Sequence, residues 1–420
     1  MIDLQKLRQN PEWFQKKIKE KSEDVDIENL LELDKQTRSL KTEIDELSYK
    51  RNQISKEIPQ LQKNWENADQ KMEEVKNIKK QIEQKQEEYN KLLEEFHNLY
   101  LQIPNPALDE VPIGADDEEN IVARKEGKSP NFDFEPLPHY EILEQRDLLD
   151  KKRSANVSGT RFCYIKDGLV RLELALVSYA MDKLIRKWFR PIMWPNLVKK
   201  DSMIATGFFP AEENNIYYVN PDNDDLYLVG TSEVALVGQH LNEVLNQEDL
   251  PIRYVGFSPC YRREAGSYGK DTKWLIRVHQ FEKVEMVSFT NPEDSIKEHN
   301  FLVEIEEEIT QELGIHYQFI DICSGDTGFH AARKYDLEAW FPGMQTYKEI
   351  TSCSNCTDFQ ARRGGIKYTD GQQKHFPHTL NWTAIALQRI LACIVENYQT
   401  KDMEVNIPEV LKPYMDREKI

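Results

Sequence analysis

A chain of 420 residues is long enough to bury a full core and to hold more than one domain. Its net charge of −18, with 30% charged residues, argues against a general nucleic-acid coat and leaves room only for a local basic site on one element. No apolar run reaches the roughly 20 residues that cross a bilayer, and the opening "MIDLQKLRQNPEW" lacks the apolar centre of a signal peptide, so a cytoplasmic protein outside membranes is expected.

The first 105 residues are expected to form a helical arm. Glycine is absent there, and Leu30, Leu33, Thr37, Leu40, Ile44, Leu47, Arg51, Ile54 and Ile58 recur at alternating spacings of three and four. Pro59 is expected to end that helix. A second seam runs Val75, Ile78, Ile82, Lys85, Tyr89, Leu92, Phe96, Leu99 and Ile103. Two seams of similar length predict an antiparallel hairpin turning within 59–72, and the proline break favours this over a coiled coil of two separate chains. Lys50, Arg51, Lys56 and Lys63 lie around its tip, with Glu57 opposing them and Tyr49 and Trp65 offering flat surfaces. By themselves these cations fit a solvated helix face as well as an RNA backbone.

A Pro-rich connector over 106–139, "PALDEVPIGADDEEN" within it, leads into a domain expected over 140–420. "RLELALVSYAMDKLIRKWF" (171–189) reads as an amphipathic helix through Leu172, Leu176, Tyr179 and Leu184, with an extended segment after it at Pro195. "DLYLVGTSEVAL", "RYVGFSPCYRRE", "IRVHQFEKVEMVSF" and "HYQFIDICSG" read as strands without regular helices between them. The fold class that follows is α+β: a helical hairpin, then a largely antiparallel sheet flanked by helices. The six cysteines are sparse and fit reduced thiols. Cys353 and Cys356 form a lone CxxC without further ligands at recognisable spacing, and are read as buried thiols rather than a metal site.

Four stretches carry residue types suited to chemistry. Arg262 ends one strand candidate and Arg277 opens the next, with Gly266 and Gly269 between them, so paired guanidinium forks could clamp a polyphosphate. Glu264 could accept from a nucleoside donor or orient an arginine, and Phe281 could stack a base. An Arg–Glu surface hairpin explains the same residues. In "YKEITSCSNC", Glu349 and Ser352 offer the hard oxygens Mg²⁺ prefers beside phosphates. Asn381 and Thr383 precede an apolar helix holding Arg389 among Ile385, Leu391 and Ile394, where an arginine needs a partner or a ligand. Thr231 and Glu233 in "GTSEVAL" could meet an amine.

Taken in order, these segments resemble the class II aminoacyl-tRNA synthetases, and within them the bacterial-type seryl-tRNA synthetases. "LLELDKQTRSLKTEIDELSYKRNQISKEI" resembles the tRNA-binding arm, the helix into Pro195 motif 1, "YRREAGSYGKDTKWLIRVHQFEKVE" motif 2 and "TLNWTAIALQRILACIVENYQ" motif 3. The "TSE" at 231–233, "GD.GF" at 325–329 and "SCSNC.DFQARR" at 352–363 match further family segments. The resemblance implies serine–tRNA ligation with ATP and Mg²⁺, in a homodimer formed through motif 1, with tRNA(Ser) on the arm and tRNA(Sec) a second candidate acceptor. It implies that Arg262 holds the α-phosphate, that Arg263, Glu264, Val278 and Phe281 surround the nucleotide, and that Arg389 lies on the γ-phosphate side. Glu349 and Ser352 would carry magnesium, with Ile350 and Thr351 beside them against ATP. Thr231, Ser232, Glu233, Glu285, Asn381 and Thr383 would surround L-serine, and Arg277 would reach its carboxylate. Lys50, Arg51, Lys56 and Lys63 would follow the tRNA. The chain departs from the family's usual pattern at Lys273-Trp274, Lys348, Trp382 and Leu387-Gln388, and two readings of Trp382 stand side by side: it narrows the active-site wall and buttresses Thr383, or it only fills packing space.

Overall fold

The structure is a computed structural model and describes every residue except 65–66, 221–222 and 266–274. Trp65, Gly266, Gly269, Lys273 and Trp274 therefore lie outside the described residues. The chain divides into two compact units. One comprises Asp3–Lys19 and Glu23–Ile103, the other Pro104–Ile420 together with Met1–Ile2 and Glu20–Ser22.

The first unit is built on two long helices, α1 (Ile27–Lys63) and α2 (Asp69–Leu101). Asp26 caps α1 by accepting from the Asn29 amide at 2.9 Å. The heptad positions Leu30, Leu33, Thr37, Leu40, Ile44 and Ile54 are buried along α1, and Ile78 meets them from α2. Asp34 is buried, and Arg8 answers it with Nε at 2.9 Å and Nη2 at 2.7 Å, pinning the short helix Leu4–Gln9 onto α1. The hairpin is as expected, but the stop at Pro59 is not taken, because α1 runs through it to Lys63. Pro59 removes one backbone donor, and so close to an exposed helix end water can satisfy the carbonyl it would have reached.

The second unit is organised by an eight-stranded sheet. Its strands are β1 (Ile121–Glu126), β2 (Arg190–Pro191), β3 (Ile252–Tyr261), β4 (Gln280–Thr290), β5 (Tyr317–Asp321), β6 (Arg333–Phe341), β7 (Thr346–Asn355) and β8 (His378–Ala386). They lie in the order β1-β5-β6-β7-β8-β4-β3-β2, and only β2 with β3 is parallel. The segment read as a connector thus supplies an edge strand, β1. Helix α3 (Gly168–Arg186) buries Leu172, Leu176, Tyr179 and Leu184, the four positions its periodicity singles out.

Two expectations are corrected here. "SEVAL" is not strand but a short helix, α4 (Glu233–Gly238), which buries Val234, Leu236 and Val237. A regular helix, α5 (Ser295–Glu312), does separate β4 from β5, and its Leu302, Ile305 and Ile309 repeat at helical spacing against the sheet. The remaining helices that matter for the site are α6 (Phe359–Gly364) and α7 (Leu387–Asn397).

Candidate active site

The central strands β4, β8 and β7 share one face, and that face floors a cavity of about 320 Å³. Strand alternation on β4 turns Phe281, Lys283 and Glu285 to the cavity and Val284 and Met286 to the core. Two register breaks complete the lining. Glu285 faces Thr383 while Val284 faces Ile385, leaving Ala384 as an extra residue in β8. Likewise Leu337 faces Thr351 while Glu338 faces Glu349, leaving Ile350 extra in β7. Each bulge lets residues three apart, Thr383 with Ala386 and Glu349 with Ser352, line the same cavity, which a regular strand forbids.

At one end the polar groups are buried and engaged with one another. The Lys283 ammonium pairs with Glu285 at 2.5 Å and donates to Thr231 Oγ1 at 2.6 Å. Thr383 Oγ1 donates to the same Glu285 oxygen at 3.4 Å, and Thr231 Oγ1 donates to the other at 3.5 Å. Burial raises the Glu285 carboxyl above its ordinary range, and Lys283 opposes that rise. Glu233 accepts from Gln360 at 2.6 Å and Asn381 at 2.7 Å, and burial lifts its carboxyl to about 7. Ser232 does not join them. Its hydroxyl bonds Ser258 at 2.8 Å, and its side chain is not part of the cavity wall.

The other end is more open and rich in arginine. Arg262 follows β3, donates from Nε to the Gly230 carbonyl at 3.1 Å and lies over the Phe281 ring at 5.5 Å from its centroid. Arg389, on the first turn of α7, pairs with Glu349 at 3.0 Å and bonds the Glu349 carbonyl at 3.1 Å. Burial pushes the Glu349 carboxyl up, but Arg389 and Lys334 outweigh it and hold the group below its ordinary range. Arg277 precedes β4 and is held by Glu264 at 2.5 Å, so Glu264 orients an arginine here. Val278, Ile350, Thr351 and Ser352 all line the cavity. Arg263 does not; its amide bonds the Asn215 carbonyl at 2.8 Å, outside the wall.

Trp382 is corrected as well. It alternates with Asn381 and Thr383, so it points to the opposite face of the sheet and is fully buried in the core. There its indole Nε1 is directed at Glu306 of α5 but falls outside hydrogen-bond geometry. The tryptophan cannot narrow a cavity it does not face. Sequence reasoning also missed Lys283, Gln360, His330 and Lys334. Lys283 was findable, since it sits two residues from both Phe281 and Glu285 in a strand. His330 enters from a turn and Lys334 from the start of β6, while Gln360 of α6 holds Glu233 from behind the wall.

On the hairpin, Lys50 pairs with Glu74 at 2.8 Å and Lys71 pairs with Glu57. Arg51 donates to Asn52, at 3.0 Å, and Lys56 and Lys63 are exposed.

Residues 1–107 match the seryl-tRNA synthetase N-terminal domain, and residues 217–398 match the tRNA synthetase class II core domain (G, H, P, S and T). The chain is 44% identical to a serine–tRNA ligase of Kosmotoga olearia over 425 residues, covering 100% of both chains. It is also 44% identical to that of Thermotoga neapolitana over 421 residues, covering 99% of this chain and 98% of the other. The seryl-tRNA synthetase of Pyrococcus horikoshii, solved with ATP, superposes with a TM-score of 0.91 at 37% identity, covering 100% and 99% of the two chains. A prolyl-tRNA synthetase of Giardia lamblia shares only the fold, with a TM-score of 0.58 at 17% identity over 67% of this chain and 58% of that one. A helical hairpin, an antiparallel sheet with arginines over its cavity, and full-length identity at this level agree: the chain belongs to the seryl-tRNA synthetase family.

Proposed function

We propose that the chain ligates L-serine to tRNA(Ser), using ATP and releasing pyrophosphate and AMP. The observation that carries this is the division of one cavity into a buried hydroxyl- and amine-sized polar end and an arginine-lined end that includes the Phe281 ring. Serine's carboxylate oxygen attacks the α-phosphorus and pyrophosphate leaves. The terminal ribose hydroxyl of the tRNA then takes the seryl group and AMP departs. No protein nucleophile is needed, because positioning and charge stabilisation supply the catalysis.

Each residue has a part in this reading. Arg262 meets the α-phosphate, Phe281 stacks the base, Glu264 and the backbone near Val278 border the nucleotide, Arg277 reaches the serine carboxylate, and Arg389 takes the distal phosphates. Glu349 and Ser352 fit Mg²⁺, since both are hard oxygen donors brought to one wall by the Ile350 bulge, and Glu349 is held ionised. When bound, the ion supplies charge neutralisation on the phosphate oxygens. Thr231, Glu233, Glu285, Asn381 and Thr383 surround serine. Glu285 and Thr383 receive its hydroxyl, so alanine would leave buried polar groups unpaired and be rejected.

Residues 1–105 form the tRNA handle in this reading, with the exposed Lys56 and Lys63 and the ion-paired Lys50 following the backbone of the long variable arm. Two copies pair through the motif 1 region, where Trp188 is 85% exposed and Met193 92% exposed beside Leu174 and Ile185. Among the described residues no helix is long and apolar enough to cross a membrane, which is consistent with a cytoplasmic site of action. Serine-dependent exchange of pyrophosphate into ATP, followed by charging of tRNA(Ser), tests the proposal. Exchange with another amino acid in place of serine would overturn it.

A further inference from the structure

Gln388, one of the positions at which the chain departs from the family's usual pattern, lies at the join between β8 and α7. Strands β4 and β8 pair as far as Lys283 opposite Ala386, the last residue of β8, and the chain then turns into α7. Gln280, Phe281 and Glu282 lie beyond that point. Among the described residues their strand partners are Tyr261, Cys260 and Pro259 of β3, on one side only. The Glu282 amide points to the side that β8 has left, and a strand amide in such a place needs another acceptor. Gln388 supplies it from the first turn of α7. Its Oε1 accepts from the Glu282 amide at 2.8 Å, and its Nε2 donates to the Glu282 carboxylate. One carboxamide thus stands in for the next residue of β8 and holds Glu282 by backbone and side chain together. Gln280 Nε2 donates to the other oxygen of that carboxylate at 3.1 Å. Gln388 is buried, which shields these bonds from competition by water.

The stitch lies between two groups of the nucleotide end. Phe281 immediately precedes Glu282 and turns its ring into the cavity, while Arg389 immediately follows Gln388 and pairs with Glu349. Without the two bonds from Gln388, the start of β4 would be held as a strand by β3 alone. A ring already fixed in direction loses little freedom when a ligand stacks on it, so the stitch favours binding by lowering that cost. The serine end is held by different bonds, from Lys283 to Thr231 and Glu285 and from Thr383 to Glu285.

We propose that Gln388 is a positioning residue for the nucleotide, acting through Glu282 to set the Phe281 ring against the base, so that affinity for ATP depends on it and affinity for serine does not. This rests on reading the arginine-lined end as the ATP site. The experiment uses the full chain and serine-dependent pyrophosphate exchange. Gln388→Met keeps length and bulk but removes both bonds. It should raise the KM for ATP about 10-fold, as the loss of buried hydrogen bonds does, and keep the KM for serine within about twofold. An unchanged KM for ATP, or an equal rise for both substrates, would overturn the role. Gln388→Glu keeps the acceptor for the Glu282 amide but sets a second carboxylate against Glu282, and should weaken ATP as well. The double variant Gln388→Glu/Glu282→Gln exchanges the two groups, remakes both bonds and should return the KM for ATP to within about threefold of the unmodified chain. A double variant with a normal denaturation midpoint and no such recovery would also overturn the role. Phe281→Leu, measured in parallel, separates the two readings. If it leaves the KM for ATP unchanged, the nucleotide reading fails and the role falls with it. If it raises that KM while Gln388→Met does not, the nucleotide reading stands and the positioning role alone fails.

Discussion

The two ends of the cavity handle charge differently. At the amino-acid end, the side chains of Lys283 and Glu285 are 8% and 2% exposed and are paired with each other. At the nucleotide end, Arg389 and Glu349 are 31% and 40% exposed, and Arg277 is 35% exposed. The first end carries its desolvation cost in the folded protein, so a small substrate meets groups already in position. The second leaves its arginines about a third exposed, and in the proposed reading a polyanion takes the place of solvent there. Selectivity for one hydroxyl calls for the first arrangement, and capture of a highly charged ligand tolerates the second.

Breaking the buried pair should have the largest effect. Lys283→Met leaves Glu285 buried beside no cation, and the loss expected is about 3–5 kcal/mol of stability at neutral pH. The double variant Lys283→Met/Glu285→Gln should recover much of that stability without recovering serine activation. Denaturant titration of both proteins, with pyrophosphate exchange, checks the pair; equal stability of the single and double variants would count against it.

At the open end the expected loss is in rate rather than in folding. Arg262→Ala should lower serine-dependent exchange by about 10²-fold or more, with the denaturation midpoint little changed. Near-normal exchange in this variant would remove Arg262 from the α-phosphate.

A smaller effect tests burial behind the sheet. Glu306 is fully buried, neither carboxylate oxygen meets hydrogen-bond geometry with a partner among the described residues, and Asp336, Glu307, Glu349 and the Trp382 indole lie near it. Burial raises its carboxyl well above the ordinary value of 4.5. In that window the native state holds a proton the unfolded chain has released, so this group's contribution to stability falls as pH rises from 4.5 toward the native value. Glu306→Gln should therefore be more stable than the unmodified chain at pH 8, by about 1 kcal/mol, and the advantage should shrink near pH 5. Thermal denaturation at the two pH values reads this, and a gap that is the same at both would refute it.

The smallest effect belongs to the hairpin. Lys50 and Glu74 are an exposed pair, so Lys50→Ala should change stability by less than about 1 kcal/mol. In the tRNA-handle reading it should still weaken tRNA binding and lower the salt dependence of that binding, while exchange stays unchanged. Filter binding across a salt series measures it.

How much was legible differs between these regions. The hairpin was open to reading because its buried seam positions, Leu30 to Ile54 on α1 and Ile78 on α2, follow a period of three and four; the tolerance of Pro59 near a solvated end and the burial of Asp34, Tyr100 and Leu101 off the seams escaped it. The helix α3 was legible for the same reason. The cavity was legible in residue types, and Arg262, Glu285, Glu349, Thr383 and Arg389 do line one space. Its wall was not. Trp382 was misplaced because a residue between two cavity residues of a strand faces the other way, and Arg263 and Ser232 fail for the related reason that neighbours in sequence need not share a surface.

The sequence by itself determined the helical periods, the order of the family segments and the set of chemical groups, because those depend only on residue type and spacing. Tertiary structure alone decided which groups meet. The bulges at Ala384 and Ile350 change facing by one residue, and only strand pairing reveals them. Lys283 reaches Thr231, and Gln360 reaches Glu233, across separations of 52 and 127 residues. A contact between distant residues is set by how the sheet and helices pack around a shared core, and no local pattern along the chain encodes that distance.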